Sequence, residues 1–411
     1  MGRLYDAVPN ANSDVESNYD QPQRLSWTRI VFWCLLGYSC MLGIFVRVFF
    51  PELSLLKLGL PLFVHGSNPA LFYAFSQSPR RFIKPNSLEI VALVPFHQYS
   101  ATEILDCYLQ RNLASNGGFL DRVVFLPQTT QAWDLEWLEA TVSETSSYSF
   151  SNTSHAHIVT TDALFVWIDG DVVFLEDQTI PTMVKTKLDN PDSLVVSANV
   201  INEAALEGLH NHPSIALPYL PELQRQPSEY IDHDDWKASA LPRWQGRTGF
   251  RVPRDFPPPF GNHRWLLSGE EGFDHTPIGM SIYSEDGPRP GEWTIKAQQH
   301  YSFLHHLESG HLNRYKFPLW RNPTDPISTA FFCLEGGNAE FVESFTQIDR
   351  EGSNDLLARS SAKKQDKEIL IDGKGLAVRY ASGPDSKGLD ATDVLQRYRS
   401  YAREMVCPDY I

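Results

Sequence analysis

At 411 residues, with 42% hydrophobic and 12% aromatic content, the chain is long enough for one large domain or two ordinary ones around a well-packed core. Its formal net charge of −15, from 35 basic and 50 acidic residues, argues against a general nucleic-acid binder, because phosphate binding needs basic patches and none is visible in the sequence. An anionic substrate would need a local cation.

Residues 1–28 are polar and rich in Asn, Ser and Asp, a composition that predicts a disordered tail. Ile30 to Val46 then carries no charge, is bracketed by Arg29 and Arg47, and continues through Val48, Phe49 and Phe50 to a breaker at Pro51. That run is long enough to cross a bilayer core of roughly 30 Å, so 29–50 is expected to be a transmembrane signal anchor. A cleaved signal peptide competes, but the charged leader is long and no small-x-small exit follows. Arg24 and Arg29 on one side against Arg47 and Lys57 on the other leave orientation weakly fixed. A single-pass type II arrangement, with a short cytoplasmic tail and the domain in the lumen of the Golgi or endoplasmic reticulum, is the simplest. Residues 51–87, cut by Pro51, Pro61 and Pro85, read as a stem. Two of the five cysteines, Cys34 and Cys40, fall in the span, leaving Cys107, Cys333 and Cys407 for at most one intramolecular disulfide and no C-x-x-C zinc site. Asn152-Thr153-Ser154 is an N-glycosylation acceptor, as expected of a glycoprotein.

The folded part begins near Leu88. Glu89 to Phe96, E-I-V-A-L-V-P-F, reads as a buried strand, followed by a loop from His97 to Ser100. Ile104, Leu105, Tyr108, Leu109 and Leu113 recur at helical spacing and predict a helix over Thr102 to Leu113, stopped by Asn116-Gly117-Gly118. Arg122 to Leu126 is a second strand. Ala132 to Val142 is a second helix, with Trp133, Trp137, Leu138 and Val142 on one face, and His155 to Thr160 a short strand. Next comes A-L-F-V-W-I-D-G-D-V-V-F-L-E, Ala163 to Glu176, whose unbroken apolar run reads as a strand buried on both faces. Asp169 and Asp171 close that strand, at the edge where open α/β sheets bind ligands. A carboxylate pair held across one glycine there calls for a cation, donors or water, although D-G-D is also an ordinary solvated turn. Thr179 to Leu188 reads as a helix with Pro181 in its first turn, and Leu194 to Ile201 as a strand. Strand, helix, strand, helix, strand within about 80 residues predicts a right-handed parallel α/β sheet, with the two acids on the same edge as the loop after Phe96.

Beyond Asn202 the pattern loosens into Pro-rich loops. Trp236, Trp244, Trp265 and Trp293, interleaved with Asp232, Asp234, Asp235, Glu270 and Glu271, could form a sugar-stacking platform or an ordinary core. Ala330 to Leu334 predicts a strand and Leu389 to Met405 a final helix.

Two carboxylates one residue apart suit Mg²⁺ or Mn²⁺, which bind through one or two carboxylates plus substrate phosphates and could neutralise a departing nucleoside diphosphate. The strand, helix, strand series ending in D-x-D resembles nucleotide-sugar glycosyltransferases of the GT-A fold. W-I-D-G-D-V-V-F, V-V-S-A-N-V-I-N and P-Y-L-P-E are also similar to a group of fungal type II membrane glycosyltransferase-like proteins. The likeness covers Leu88 to Glu222, and Leu389 to Cys407 more weakly. It implies an α/β fold with a GT-A-like, mostly parallel sheet flanked by helices and a loop-rich C-terminal acceptor part. The 88–411 domain would divide into a nucleotide-sugar-binding half, 88–201, and an acceptor-binding half, 202–411. The implied function is transfer of a sugar from a nucleotide-sugar donor to an unspecified acceptor, with manganese or magnesium held by Asp169 and Asp171. The donor would contact Asp169, Gly170 and Asp171, and Pro95 and Phe96 would lie near its base. Many such enzymes take a later histidine as a metal ligand, but none follows His311 here, so His300, His305 and His306 stand as substitutes. Glu270, Glu271 and Asp355 are candidate catalytic bases. Two alternatives compete: a haloacid-dehalogenase-like phosphatase with Asp169 as nucleophile, and a non-catalytic membrane-anchored binder.

Overall fold

A computed structural model describes residues 83–151, 163–224, 236–269, 272–324, 326–336, 362–363, 365–380 and 388–407, together with Gly37, Tyr38 and Met41. The chain divides into two units, Met1–Ser67 and Asn68–Ile411, and the fold below belongs to the second. The expected tail, most of the membrane span and stem, the strand at 155–160, Asn152, Glu270, Glu271 and Asp355 lie outside the described residues. Among the described residues no helix is long and apolar enough to cross a membrane.

The first elements follow the apolar runs closely. Strands β1 (Glu89–Phe96), β2 (Arg122–Pro127), β3 (Tyr148–Phe150) and β4 (Ala163–Ile168) are linked in part by helices α1 (Tyr99–Asn112) and α2 (Ala132–Glu144). β1 pairs in parallel with both β2 and β4, and β2 with β3, giving the spatial order β3-β2-β1-β4. The chain thus builds outward on one side of β1 and returns to its other side for β4. The strand order reverses between β1 and β4, and the carboxyl ends of these strands are the topological switch point at which open α/β sheets bind ligands.

Next come β5 (Val172–Leu175), helix α3 (Thr179–Asp189) and β6 (Ser193–Ile201). β7 (Tyr219–Pro221) and β8 (Trp265–Leu267) form a separate hairpin. Strands β9 (Trp320–Arg321), β10 (Phe331–Glu335) and β11 (Glu368–Arg379) complete the main sheet, whose order continues β4-β10-β6-β11-β5 with β9 on β11. β10 lies antiparallel between β4 and β6, β11 runs parallel to β6, and β5 runs antiparallel to β11. The expected α/β class with a large central sheet flanked by helices is what the structure shows; the sheet is parallel from β3 to β4 and mixed beyond.

Both faces of this sheet are covered, as its unbroken apolar strands require. Ile90, Ala92, Val94 and Phe96 of β1 face a cluster with Ile104, Leu105 and Leu109 of α1, while Val91 and Leu93 face one with Trp167 and Phe332. Helix α1 begins three residues before its apolar spacing suggests, because Asp134 Oδ1 accepts the Tyr99 amide at 2.9 Å and caps it from outside. That bond also corrects the face assigned to α2: Asp134 is buried and Trp133 is exposed.

Two long elements had no periodic signature. One is β11; the other is α4 (Trp293–Glu308), buried on nearly all sides despite its glutamines and histidines. Its polar groups are matched by the fold: Gln298 accepts from the Ile278 amide at 2.9 Å and donates to the Leu217 carbonyl at 2.9 Å. The final helix α5 (Val394–Met405) is preceded by a 3-10 turn over Leu389–Ala391. A disulfide, Cys107–Cys407, ties the end of this region to α1, and Cys333 is a buried thiol. Trp236 and Trp265 are buried, and the indole N–H groups of Trp244 and Trp293 donate to the carbonyls of Pro221 and Phe256.

Burial lowers the pKa of His210 to about 3 and of His300 and His306 to about 4, from an ordinary 6.5. The unfolded chain therefore binds protons that these folded imidazoles refuse. Their contribution to stability is fully present above pH 6.5 and is lost as pH falls toward 4, by about 1.4 kcal/mol per pH unit for each histidine within that window. Urea midpoints measured across this range should fall with acid, and His300→Asn should flatten the dependence. An unchanged slope in that variant contradicts the assignment.

Candidate functional site

Asp169-Gly170-Asp171 joins β4 to β5 in a turn pinned to neighbouring strands. The Asp169 amide donates to the Ala330 carbonyl, just before β10, at 2.7 Å; Val172 closes the turn on the Asp169 carbonyl at 3.0 Å; and the Tyr380 amide, just after β11, donates to the Asp171 carbonyl at 2.8 Å. Gly170 is dictated by close approach, since a Cβ there would lie 2.3 Å from the Pro95 carbonyl oxygen, and Thr102 of α1 donates to the Gly170 carbonyl at 2.9 Å. Gly170→Ala should therefore wedge the ends of β1 and β4 apart and lower stability by about 1–3 kcal/mol in a denaturant titration. A neutral substitution would refute that packing.

The acids are compensated by a residue that sequence reading missed. Arg379, the last residue of β11, pairs opposite Val172 of β5. Its Nε donates to both oxygens of Asp171 at 3.0 and 3.1 Å, and its Nη2 lies 3.2 Å from Asp169 Oδ2. On the other side of Asp169, His97 Nε2 stands 3.8 Å from Oδ1, a buried oxygen that accepts no hydrogen bond. The group is little exposed, with 12% of the Arg379 side chain, 14% of Asp169 and 4% of Asp171 reaching solvent. Burial first, and then the charge of Asp171, push the pKa of Asp169 up to about 8 against the pull of Arg379. Burial works against the charge on Arg379, but Asp171, Asp169 and Glu203 outweigh it and hold the guanidinium more firmly protonated than usual. Glu203 is fixed in turn by the Thr329 amide at 2.9 Å and the Ser328 hydroxyl.

A divalent ion of the Mg²⁺ class needs oxygen lone pairs at about 2.0–2.1 Å in octahedral array. Here three of the four carboxylate oxygens already face one guanidinium. Among the described residues no group of three or more His, Cys, Asp or Glu side chains is arranged to hold a metal. As folded, the donor set fits an arginine and not a divalent ion.

Of the histidines named as substitute ligands, His300 and His306 are buried and His305 is half-buried. His300 Nε2 lies 2.6 Å from Asn202 Nδ2 and 3.1 Å from the Tyr380 carbonyl, with Nδ1 3.1 Å from the Tyr398 hydroxyl. His305 meets the Tyr219 hydroxyl at 2.9 Å and His306 the Tyr315 hydroxyl at 3.0 Å. Each is taken up by a tyrosine, which accounts for their absence from the acid pair. Pro95 lines the turn through its carbonyl, whereas Phe96 turns into the core and stacks on Trp137 with ring centroids 5.8 Å apart. Arg379 lies 208 residues beyond Asp171, and its one sequence signal is a charge closing the apolar run Leu376 to Val378, the same signal that marked Asp169.

No protein-family model matches the sequence, and no curated protein matches it. Several solved structures are similar in outline. One is 4-diphosphocytidyl-2C-methyl-D-erythritol synthase from Anaerococcus prevotii, at 8% identity and a TM-score of 0.33 over 77% of this chain and 100% of that one. GalNAc-T7 with UDP, GalNAc and Mn²⁺ matches at 9% identity and a TM-score of 0.38 over 82% of this chain and 54% of that one. CMP:2-keto-3-deoxy-manno-octonic acid synthetase complexed with CTP matches at 10% identity and 0.32, over 77% and 99%. At these scores the likenesses carry no argument about chemistry.

Proposed function

We propose that this chain is a transferase that moves a sugar from a nucleotide-sugar donor to an acceptor, with the donor diphosphate at the carboxyl ends of β1 and β4. The observation that carries this reading is the convergence of Asp169, Asp171 and Arg379 at the carboxyl end of β4, on the switch-point side of the sheet. The acids would accept hydroxyls of the donor, and Asp169 Oδ1 is a buried acceptor in need of a partner. Arg379 would stabilise negative charge as the bond between the anomeric carbon and the phosphate oxygen breaks, while the acceptor hydroxyl bonds to that carbon and its proton passes to the departing phosphate or to water. The first part of the domain, 88–201, together with Arg379 would hold the donor, and the rest of 202–411 the acceptor.

A phosphatase nucleophile at Asp169 is less well supported, since burial and Asp171 keep that carboxyl protonated up to about pH 8 and a nucleophile must be ionised. Kinship with the fungal membrane-anchored proteins is part of the same proposal and rests on the sequence stretches alone. The Cys107–Cys407 bond supports a luminal domain behind an N-terminal anchor, because disulfides persist in oxidising compartments.

The test is a thermal-shift screen of the full chain with UDP-, GDP- and CMP-sugars, followed by measurement of nucleotide release. At least one donor should raise the unfolding temperature, by the equivalent of about 2.7 kcal/mol at a hundredfold excess over its Kd. A screen in which no nucleotide sugar shifts the transition or releases nucleotide sinks the reading.

A further inference from the structure

The two acids of the turn already have a cation, and it is part of the chain. Arg379 Nε spans both oxygens of Asp171 at 3.0 and 3.1 Å, and Nη2 reaches Asp169 Oδ2 at 3.2 Å, so one planar fork faces both carboxylates. A divalent ion shared by the two acids would have to take the same oxygens, and its charge would be set against a guanidinium that cannot lose its proton. We propose that Arg379 takes the place of the divalent metal at this D-x-D turn, so that donor binding, on the reading above, is independent of metal.

Two further features agree. Arg379 is held as a strand residue rather than on a mobile arm. The Tyr380 amide is bound to the Asp171 carbonyl at 2.8 Å, and the Tyr380 carbonyl faces His300 Nε2 at 3.1 Å and Asn202 Nδ2 at 3.3 Å. A cation preorganised in this way needs little rearrangement when negative charge arrives. Secondly, Glu203, itself held by Ser328 and Thr329, adds a third acid whose charge favours the protonated guanidinium. Arg379 is the counter-ion of both acids and, with a donor bound, the positive charge nearest them.

The test uses the full chain and two probes. Mn²⁺ alone, followed by its free-ion paramagnetic resonance, should stay unbound at the site in the wild type. In Arg379→Gln, which frees both carboxylates, the same titration should show a new bound ion. Stoichiometric Mn²⁺ binding by the wild type that disappears in Asp171→Asn overturns the proposal. UDP, GDP and CDP titrated in EDTA and in Mn²⁺ form the second arm. The wild-type affinity for the nucleotide that binds should agree within about twofold between the two conditions, whereas Arg379→Gln should bind at least tenfold more weakly in EDTA and recover with Mn²⁺. Arg379→Lys keeps the charge and, if the glutamine variant does not fold, should still bind in EDTA. Wild-type binding that requires Mn²⁺ overturns the proposal and leaves the donor reading standing. Absence of binding in both conditions overturns the donor reading itself, whatever the Mn²⁺ arm returns.

Discussion

Replacing Arg379 by glutamine is expected to destabilise the fold by about 3–5 kcal/mol, the loss typical when one partner of a buried ion pair is removed and the other stays charged. Two acids, 14% and 4% exposed, would be left on either side of Gly170 without that guanidinium. The loss should depend on pH, and its sign follows from the raised pKa of Asp169. A carboxyl whose folded pKa exceeds its unfolded 3.8 binds more protons folded than unfolded, so stability falls as pH rises through the interval from 3.8 to about 8. Without Arg379 that fall should steepen. Urea denaturation at about pH 5 and about pH 8 should show the variant closer to wild type in acid. Equal losses at both values would mean that Arg379 does not compensate the acids. Arg379→Lys should recover part of the stability but not all, because an ammonium cannot span both oxygens of Asp171 while reaching Asp169.

The second large effect belongs to the disulfide. Cys107 and Cys407 are 300 residues apart, and their bond joins the middle of α1 to the end of the chain beyond α5. The paired replacement Cys107→Ser with Cys407→Ser should lower stability by about 2–5 kcal/mol, most of it through the unfolded chain, which a loop of this length otherwise constrains. The consequence should extend to the site, since α1 also carries Thr102, whose hydroxyl holds the Gly170 carbonyl. Reductant should reproduce the effect in the wild type and do nothing to the double variant. Thiol titration should find Cys333 unreactive until the chain unfolds, because it is buried in β10. A wild-type denaturation curve indifferent to reductant would contradict the bond.

The legible parts of this protein were those in which one local signal is decisive. β1 and β4 are continuous apolar runs closed by a proline and an acid pair, and their ends fall where the sequence places them, whereas the second apolar run forms a separate strand, β5. The acids were legible as a candidate site because a charge at the end of a buried strand demands an account. What compensates them was not, because Arg379 reaches them only through the pairing of β11 with β5, a contact with no local trace. Helix α4 was hidden for a related reason. Periodicity finds helices with a polar outside, and α4 buries its polar residues against partners such as Leu217 and Ile278 that are distant in sequence. The late histidines misled in the same way: as residue types they suit a metal, and only the tyrosines beside them show that they are structural.

The central claim is a location: a nucleotide diphosphate group seated between the carboxyl ends of β1 and β4. Hydrogen exchange of the full chain, with and without a saturating nucleotide identified in the screen, tests it most directly. Protection should concentrate on two peptides far apart in sequence, Pro95 to Thr102 and Ile168 to Val172, with a weaker effect at Arg379 and Tyr380. Protection confined to the opposite edge of the sheet, around Glu176 and Lys316, or absent from both peptides while the nucleotide is bound, would contradict it.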